Sequence, residues 1–381
     1  MKPFHWKILI SIVLIILSTL YAVHSIHDMP TASKPVSNIK MNPVYSDYQF
    51  NNNDTTINLG VQPLYVPASL IAEVMKRDTI LVDELSNLGI KIHFYNFLKG
   101  DDINFFLQKG DLDGGMGGDM PTLSAAASLD IVILSLIQKG FVSIVANQQM
   151  LIENLKGKRI GYAFGSNAHY ALLRILATAG LSEHQVILVP MEVTEMPEAL
   201  NNGDITAFSA WEPTPSVALK KYPNSTIIHQ RISLGFFYFL DKLYKDNPKA
   251  LSHIIAAEIR AINWLQAEQK NLFLATEWNI SECRLAFGTR LNFSVNDFAA
   301  IAMNDIIGLP LNPFVAARNL KNNGPLHKEF QFLINIKKIP MSVSWPVIQN
   351  KFRPDILKSL WAEKENFRLN VFNYANNPLS P

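Results

Sequence analysis

Arg159-Ile160-Gly161-Tyr162-Ala163-Phe164-Gly165-Ser166-Asn167-Ala168-His169, continuing through Tyr170 to Gly180-Leu181, is the stretch that decides how this chain folds. Residues 159–163 read as a short strand. From residue 167 to 179 the period changes: Leu172, Ile175, Leu176 and Ala179 fall at i, i+3, i+4 and i+7, the apolar stripe of an amphipathic helix. Gly180-Leu181 supplies a left-handed stop with its hydrophobic contact. The small-residue turn between strand and helix leaves the first helical N–H groups pointing outward, where the helix dipole adds partial positive charge. Ser166, Asn167 and His169 are therefore candidate contacts for an oxyanion. An ordinary N-cap by Ser166 and a packed or capping His169 explain the same residues without a ligand.

The alternation of strand and helix extends in both directions. Before it come a strand at 57–61, a helix at 67–76, an alternating strand at 90–95, a helix at 102–109 stopped by Gly110, and an apolar run at 131–137. After it come a strand at 186–189, a helix at 197–202 and a strand at 205–210. Pro248 opens a long helix at 250–266, with Ile255, Ile259 and Ile262 on one stripe. This is α/β grammar in two units. Strands at 141–146 and 236–240 flank the second unit, which predicts two lobes joined by two crossover segments with a ligand cleft between them. Residues 55–144 and 236–381 form the first lobe, the latter with a helical C-terminal extension, and 145–235 form the second.

Three further motifs follow the carboxyl ends of expected strands, the edge at which open α/β sheets collect ligands. Gly114-Gly115-Met116-Gly117-Gly118 permits close backbone approach, and Asp119 before Pro121 reads as an N-cap for 122–128 as readily as a ligand contact. The run lacks GxGxxG spacing and a P-loop lysine, so no nucleotide is implied. Trp211-Glu212-Pro213 offers an indole and a carboxylate for an ammonium, or simply a core tryptophan beside a solvated glutamate. Gln62-Pro63-Leu64-Tyr65 offers two polar tips. The candidate ligand-binding set is Gln62, Tyr65, Gly118, Asp119, Ser166, Asn167, His169, Trp211 and Glu212.

Composition narrows the functional classes. Lys and Arg total 34 against 32 Asp and Glu, so nothing in the global charge favours nucleic acid. One cysteine, Cys283, excludes an intrachain disulfide and a cysteine-rich zinc site, and none of the histidines has HExxH spacing. No metal, cofactor or catalytic residue is expected. Lys2 and Lys7 precede an apolar or small run at 8–23, the pattern of an export signal cleaved after Ser25 or of an uncleaved inner-membrane anchor. Residues 26–54, rich in Pro, Ser, Asn and Thr, read as a polar linker.

With these motifs in order, the chain resembles the periplasmic solute-binding proteins for alkanesulfonates, taurine and nitrate, within the thiamine-pyrimidine-synthase-like group. The resemblance runs through Gly60-Val61-Gln62-Pro63, Gly118-Asp119-Met120-Pro121, Leu155-Lys156-Gly157-Lys158-Arg159-Ile160, Gly165 to His169, Glu198-Ala199-Leu200, Gly203-Asp204, Trp211-Glu212-Pro213 and Asn247-Pro248. It implies a type II periplasmic-binding-protein fold and a monomeric extracytoplasmic receptor that hands a small anionic ligand to an ABC importer permease without catalysis. Glu212 and Asp119 point toward an amino-sulfonate such as taurine. Two other readings are a membrane-anchored sensor or scaffold using the same cleft, and a pyrimidine-synthase-like enzyme, for which a single cysteine is too few. The sequence departs from the family at Lys76-Arg77-Asp78-Thr79 and in the tail past Lys338.

Overall fold

Ile131–Ala146 forms one 16-residue strand, β4, in which every side chain but Lys139 and Phe141 is buried. The two apolar runs expected at 131–137 and 141–146 are therefore continuous. Register shifts at Ile133/Ser135, Leu136/Gln138 and Ile144/Val145 carry the strand through its polar middle. The structure, a computed structural model, describes Ile39 and residues 42–288, 294–307 and 313–379; the apolar segment 8–23 lies outside them.

The partner of β4 is β8, Thr226–Leu240, antiparallel to it along nearly its whole length. Only the apolar half of β8 shows in the sequence, because residues such as His229, Gln230 and Arg231 break the pattern in the first half. The remaining strands are β1 (Thr56–Val61), β2 (Lys91–Asn96), β3 (Gly114–Gly118), β5 (Arg159–Tyr162), β6 (Ile187–Pro190) and β7 (Ala207–Trp211). They complete an eight-stranded sheet of order β2-β1-β3-β8-β4-β7-β5-β6. At one end β1 pairs parallel with β2 and β3; at the other β5 pairs parallel with β6 and β7. Among the described strands, β4 and β8 alone run through both parallel groups, which makes them the crossovers of a two-lobed fold.

The glycine run is not a turn but β3 itself. A Cβ on Gly115 would stand 2.6 Å from Ile103 Cγ2, and one on Gly114 would stand 2.5 Å from Phe239 Cδ1. The strand is glycine because the helix Gly100–Lys109 and the aromatic side of β8 press directly on its backbone.

Pro248–Ala267 buries Ile254, Ile255, Ile259 and Ile262 and packs against the helices Ala68–Met75 and Thr79–Asn87. Each isoleucine so buried contributes about 1.5–3 kcal/mol of hydrophobic transfer. The same helix carries Arg260, 1% exposed, whose Nε lies 2.8 Å from Oδ2 of the fully buried Asp78. Asp78 Oδ1 also accepts from Leu81 N and so caps Thr79–Asn87. Beside this pair, Glu73 bonds both Lys76 and Arg77 at 2.7 Å, and Lys76 reaches Glu282 at 3.3 Å.

The unfamiliar Lys76-Arg77-Asp78-Thr79 segment is thus a buried ionic cluster, and the unfamiliar tail docks on it. Thr79 N donates to Asn373 O, Ala375 N to Arg77 O, and Leu379 N to Lys76 O. The two departures from the family pattern are halves of one contact.

The body also begins earlier than a linker ending at residue 54 implies. Tyr45 is buried against Phe97 and Phe106, and its hydroxyl donates to Asp102 Oδ2 at 2.7 Å. Tyr48 and Phe50 extend this ring cluster to Tyr95. Their apolar area outweighs the Pro- and Asn-rich surroundings that make the stretch look like a tether.

Candidate functional site

The carboxyl ends of five parallel strands converge on one cleft. Gln62 and Tyr65 follow β1, Lys99, Gly100 and Asp101 follow β2, and Gly118 and Pro121 lie at and just beyond the end of β3. Gly165, Ser166 and Asn167 follow β5, and Trp211 ends β7. About 310 Å³ of space, open solvent included, lies against these residues.

The floor is pinned by side chains that reach across strands. Gln62 Nε2 donates to Met116 O at 2.7 Å, and the Trp211 indole N–H donates to Leu64 O at 3.2 Å. Asn167 reaches further: its Nδ2 donates to Ser233 Oγ on β8 at 2.7 Å, and its Oδ1 accepts from Met120 N at 3.2 Å. A Cβ on Gly118 would stand 2.1 Å from Asn167 Nδ2. The two lobes therefore touch through this amide, and only glycine opposite it permits the contact.

One wall is the start of the helix Asn167–Thr178. Ser166 caps it, accepting from His169 N at 3.3 Å, while its hydroxyl donates to Ala163 O at 2.7 Å. The N–H groups of Asn167 and Ala168 have no intrahelical acceptor and, with the helix dipole, make this wall electropositive. Gly165 takes φ +77°, and a Cβ there would meet Asp101 Oδ2 at 2.5 Å, so the turn needs glycine on both counts.

Three charged side chains complete the mouth. Lys99 lines the cleft with no ion pair of its own among the described residues. Asp101 faces it from the next turn and accepts from Lys338 Nζ at 2.7 Å. Sequence reasoning missed all three. The strand-edge rule that found the other loops would have found Lys99 and Asp101, since they follow a strand already expected at 90–95. Lys338 arrives from the C-terminal tail, and no local signal connects it to the cleft.

The structure brings Gln62, Tyr65, Gly118, Ser166, Asn167 and Trp211 together and leaves three expected residues off the cleft wall. Asp119 does not cap its helix by side chain. The helix Asp119–Ser128 starts at Asp119 itself, whose Oδ2 accepts from Leu234 N at 3.1 Å, clamping β3 to β8. Burial pushes its carboxyl up to about 6. Burial raises the nearby Glu329 well above the carboxylate range, with repulsion from Asp119 adding to the rise, so this buried pair retains a proton at neutral pH. His169 stacks on Tyr162 at 4.7 Å and is lowered to about 4 by burial and by Lys338, so it is neutral. Glu212 turns away to accept from Ser216 N at 3.3 Å, and burial raises its carboxyl.

A two-lobed α/β fold with an electropositive cleft at the carboxyl ends of its parallel strands defines the class. Residues 114–271 match the family model described as NMT1/THI5 like. Over 199 residues the chain is 28% identical to an Escherichia coli protein named for aliphatic sulfonate binding, covering 49% of this chain and 61% of that one. A Bacillus subtilis protein of the same name is 28% identical over 218 residues, covering 55% and 64%. The chain thus spans less than two thirds of the length of these relatives. In fold it is similar to the periplasmic aliphatic sulphonate binding protein SsuA from Escherichia coli, with a TM-score of 0.61 at 17% identity over 80% of this chain and 100% of that one. The desulfurization enzyme DSZB shares the fold more distantly, with a TM-score of 0.51 at 16% identity over 81% and 99%. The expected type II periplasmic-binding-protein fold and the resemblance to the sulfonate-binding group both hold.

Proposed function

We propose that this protein is an extracytoplasmic solute-binding protein that captures a small anion of the sulfonate, taurine or nitrate type between its lobes and delivers it to an ABC importer. The observation that carries the reading is the convergence of five strand ends on one cleft whose wall is a helix start and whose mouth holds two lysines against one aspartate. Charge-assisted hydrogen bonds are worth about 1.5–3 kcal/mol each, so a few of them support micromolar affinity after ordering costs. The lobes are 55–144 with 236–381, and 145–235, and β4 and β8 act as the hinge. Residues 8–23 direct export, as a cleaved signal or an anchor, and the receptor works as a monomer.

The role is binding without turnover. The chain's one thiol, Cys283, is buried with its Sγ 3.5 Å from Pro63 O, and burial holds it far above the usual thiol range. It offers no nucleophile to the cleft. Because Glu212 caps Thr214–Lys221 rather than facing the ligand, a plain sulfonate is favoured over an amino-sulfonate.

The test is a thermal-shift and calorimetric screen of the full chain in mild detergent against ethanesulfonate, taurine, nitrate and bicarbonate. A ligand at 100 times its dissociation constant should add about 2.7 kcal/mol of stability. A selective, stoichiometric response with no chemical change in the ligand supports the reading. Conversion of a bound ligand to product would replace it with an enzyme reading.

A further inference from the structure

The tail past residue 313 crosses the cleft. The helix Pro325–Asn335 packs on Asp119–Ser128 in the first lobe, while Phe332 meets Tyr170 of the second lobe edge-on at 4.7 Å. Glu329 on the same helix lies 3.3 Å from Arg231 in the second-lobe half of β8. The helix then ends in a closed turn: Lys338 N donates to Leu333 O and Lys337 N to Ile334 O. Lys337 sits in the left-handed region at φ +60°. A side-chain-bearing residue is strained there, and such strain persists only where the surroundings hold it. Its effect is to turn the next residue inward. Lys338 Nζ reaches Asp101 at 2.7 Å and stands 3.9 Å from where a Cβ on Gly165 would be, beside the electropositive helix start.

We propose that Lys338 is a specificity-determining residue of the cleft: a cation delivered by the C-terminal tail, held at the mouth by Asp101 and drawn from it to the anionic group of a ligand. The inference rests on the anion-binding reading above and adds to it a residue from outside the segment matched to the family. Asp101 both lines the cleft and holds Lys338, so it competes with a ligand for the same ammonium. Exchange of one carboxylate for one anionic ligand keeps Lys338 paired, and the carboxylate that is released, Asp101, is 20% exposed and can be hydrated. Lys99 also lines the cleft and adds attraction, but it forms no ion pair among the described residues, and the charge it offsets is that of Asp102.

Two substitutions then move affinity in opposite directions. Ethanesulfonate is titrated calorimetrically into the full chain and into K338M, K338R and D101N, each first checked for an unchanged melting profile. K338M should weaken binding at least tenfold, K338R should restore it to within about threefold, and D101N should tighten it severalfold because the competitor is gone. The inference is overturned if K338M binds within twofold of the parent, which leaves the charge to Lys99 and the helix start. It is overturned equally if K338M and D101N weaken binding alike, which makes the pair a mechanical bolt. If the parent chain binds no anion in the screen, the receptor reading itself fails and takes this one with it.

Discussion

Two polar regions of this molecule are built on opposite terms. The cluster of Glu73, Lys76, Arg77, Asp78 and Arg260 is dense with charge, almost sealed from solvent, and every charge in it has a partner within 3.3 Å. The cleft holds three charged side chains, two lysines against one aspartate, with helical N–H groups left open and glycines where side chains would fill the space. Charge density marks the first as structure. Incomplete pairing marks the second as a site.

The comparison can be broken from either side. The largest effect is expected from Arg260→Ala, which leaves Asp78 buried without its cation; removal of one partner of such a pair costs about 3–5 kcal/mol. Urea unfolding should show the loss, while ligand affinity measured below the new transition stays within twofold of the parent. A change of more than tenfold in affinity would show that the cluster is coupled to the cleft. Gly118→Ala sharpens the other side. The added methyl displaces the Asn167 amide from Ser233 and Met120, so affinity should fall about tenfold, read by calorimetry, with a smaller change in unfolding midpoint. The smallest effect is expected from Ser166→Ala, where loss of the cap costs about 1 kcal/mol of stability in denaturant titration, together with a few-fold loss of ligand affinity.

The sequence makes the parallel strands and their edge legible, because buried strands and amphipathic helices carry strong periods: the helix Asn167–Thr178 differs from its expected range by one residue. It also makes Gly165 to Asn167 legible, since a small-residue turn between strand and helix has few uses. What stays hidden is hidden for physical reasons. The first half of β8 is polar on its exposed face, so it has no apolar run. Tyr45 and Phe50 act as core from within a segment whose composition reads as linker. Glu212 and Trp211 are neighbours in sequence, yet one faces the cleft and the other caps a helix, a difference of orientation that no spacing encodes. Lys338 and Asp101 meet across more than half of the chain, and nothing in the sequence around either one marks the other.

The docking of the tail on the ionic cluster also sets an order of assembly. Residues 373–379 pair their backbone with 76–79, close to the opposite end of the folded body, so a segment made late is needed to finish one made early. Contacts of such long separation form late, after the cost of closing the loop between them has been met. A chain delivered from its N-terminus, by a ribosome or through a membrane, therefore exposes the backbone of Lys76 to Thr79 until residues 373–379 emerge. Closure of that contact is in effect a signal that residues 373–379 have arrived.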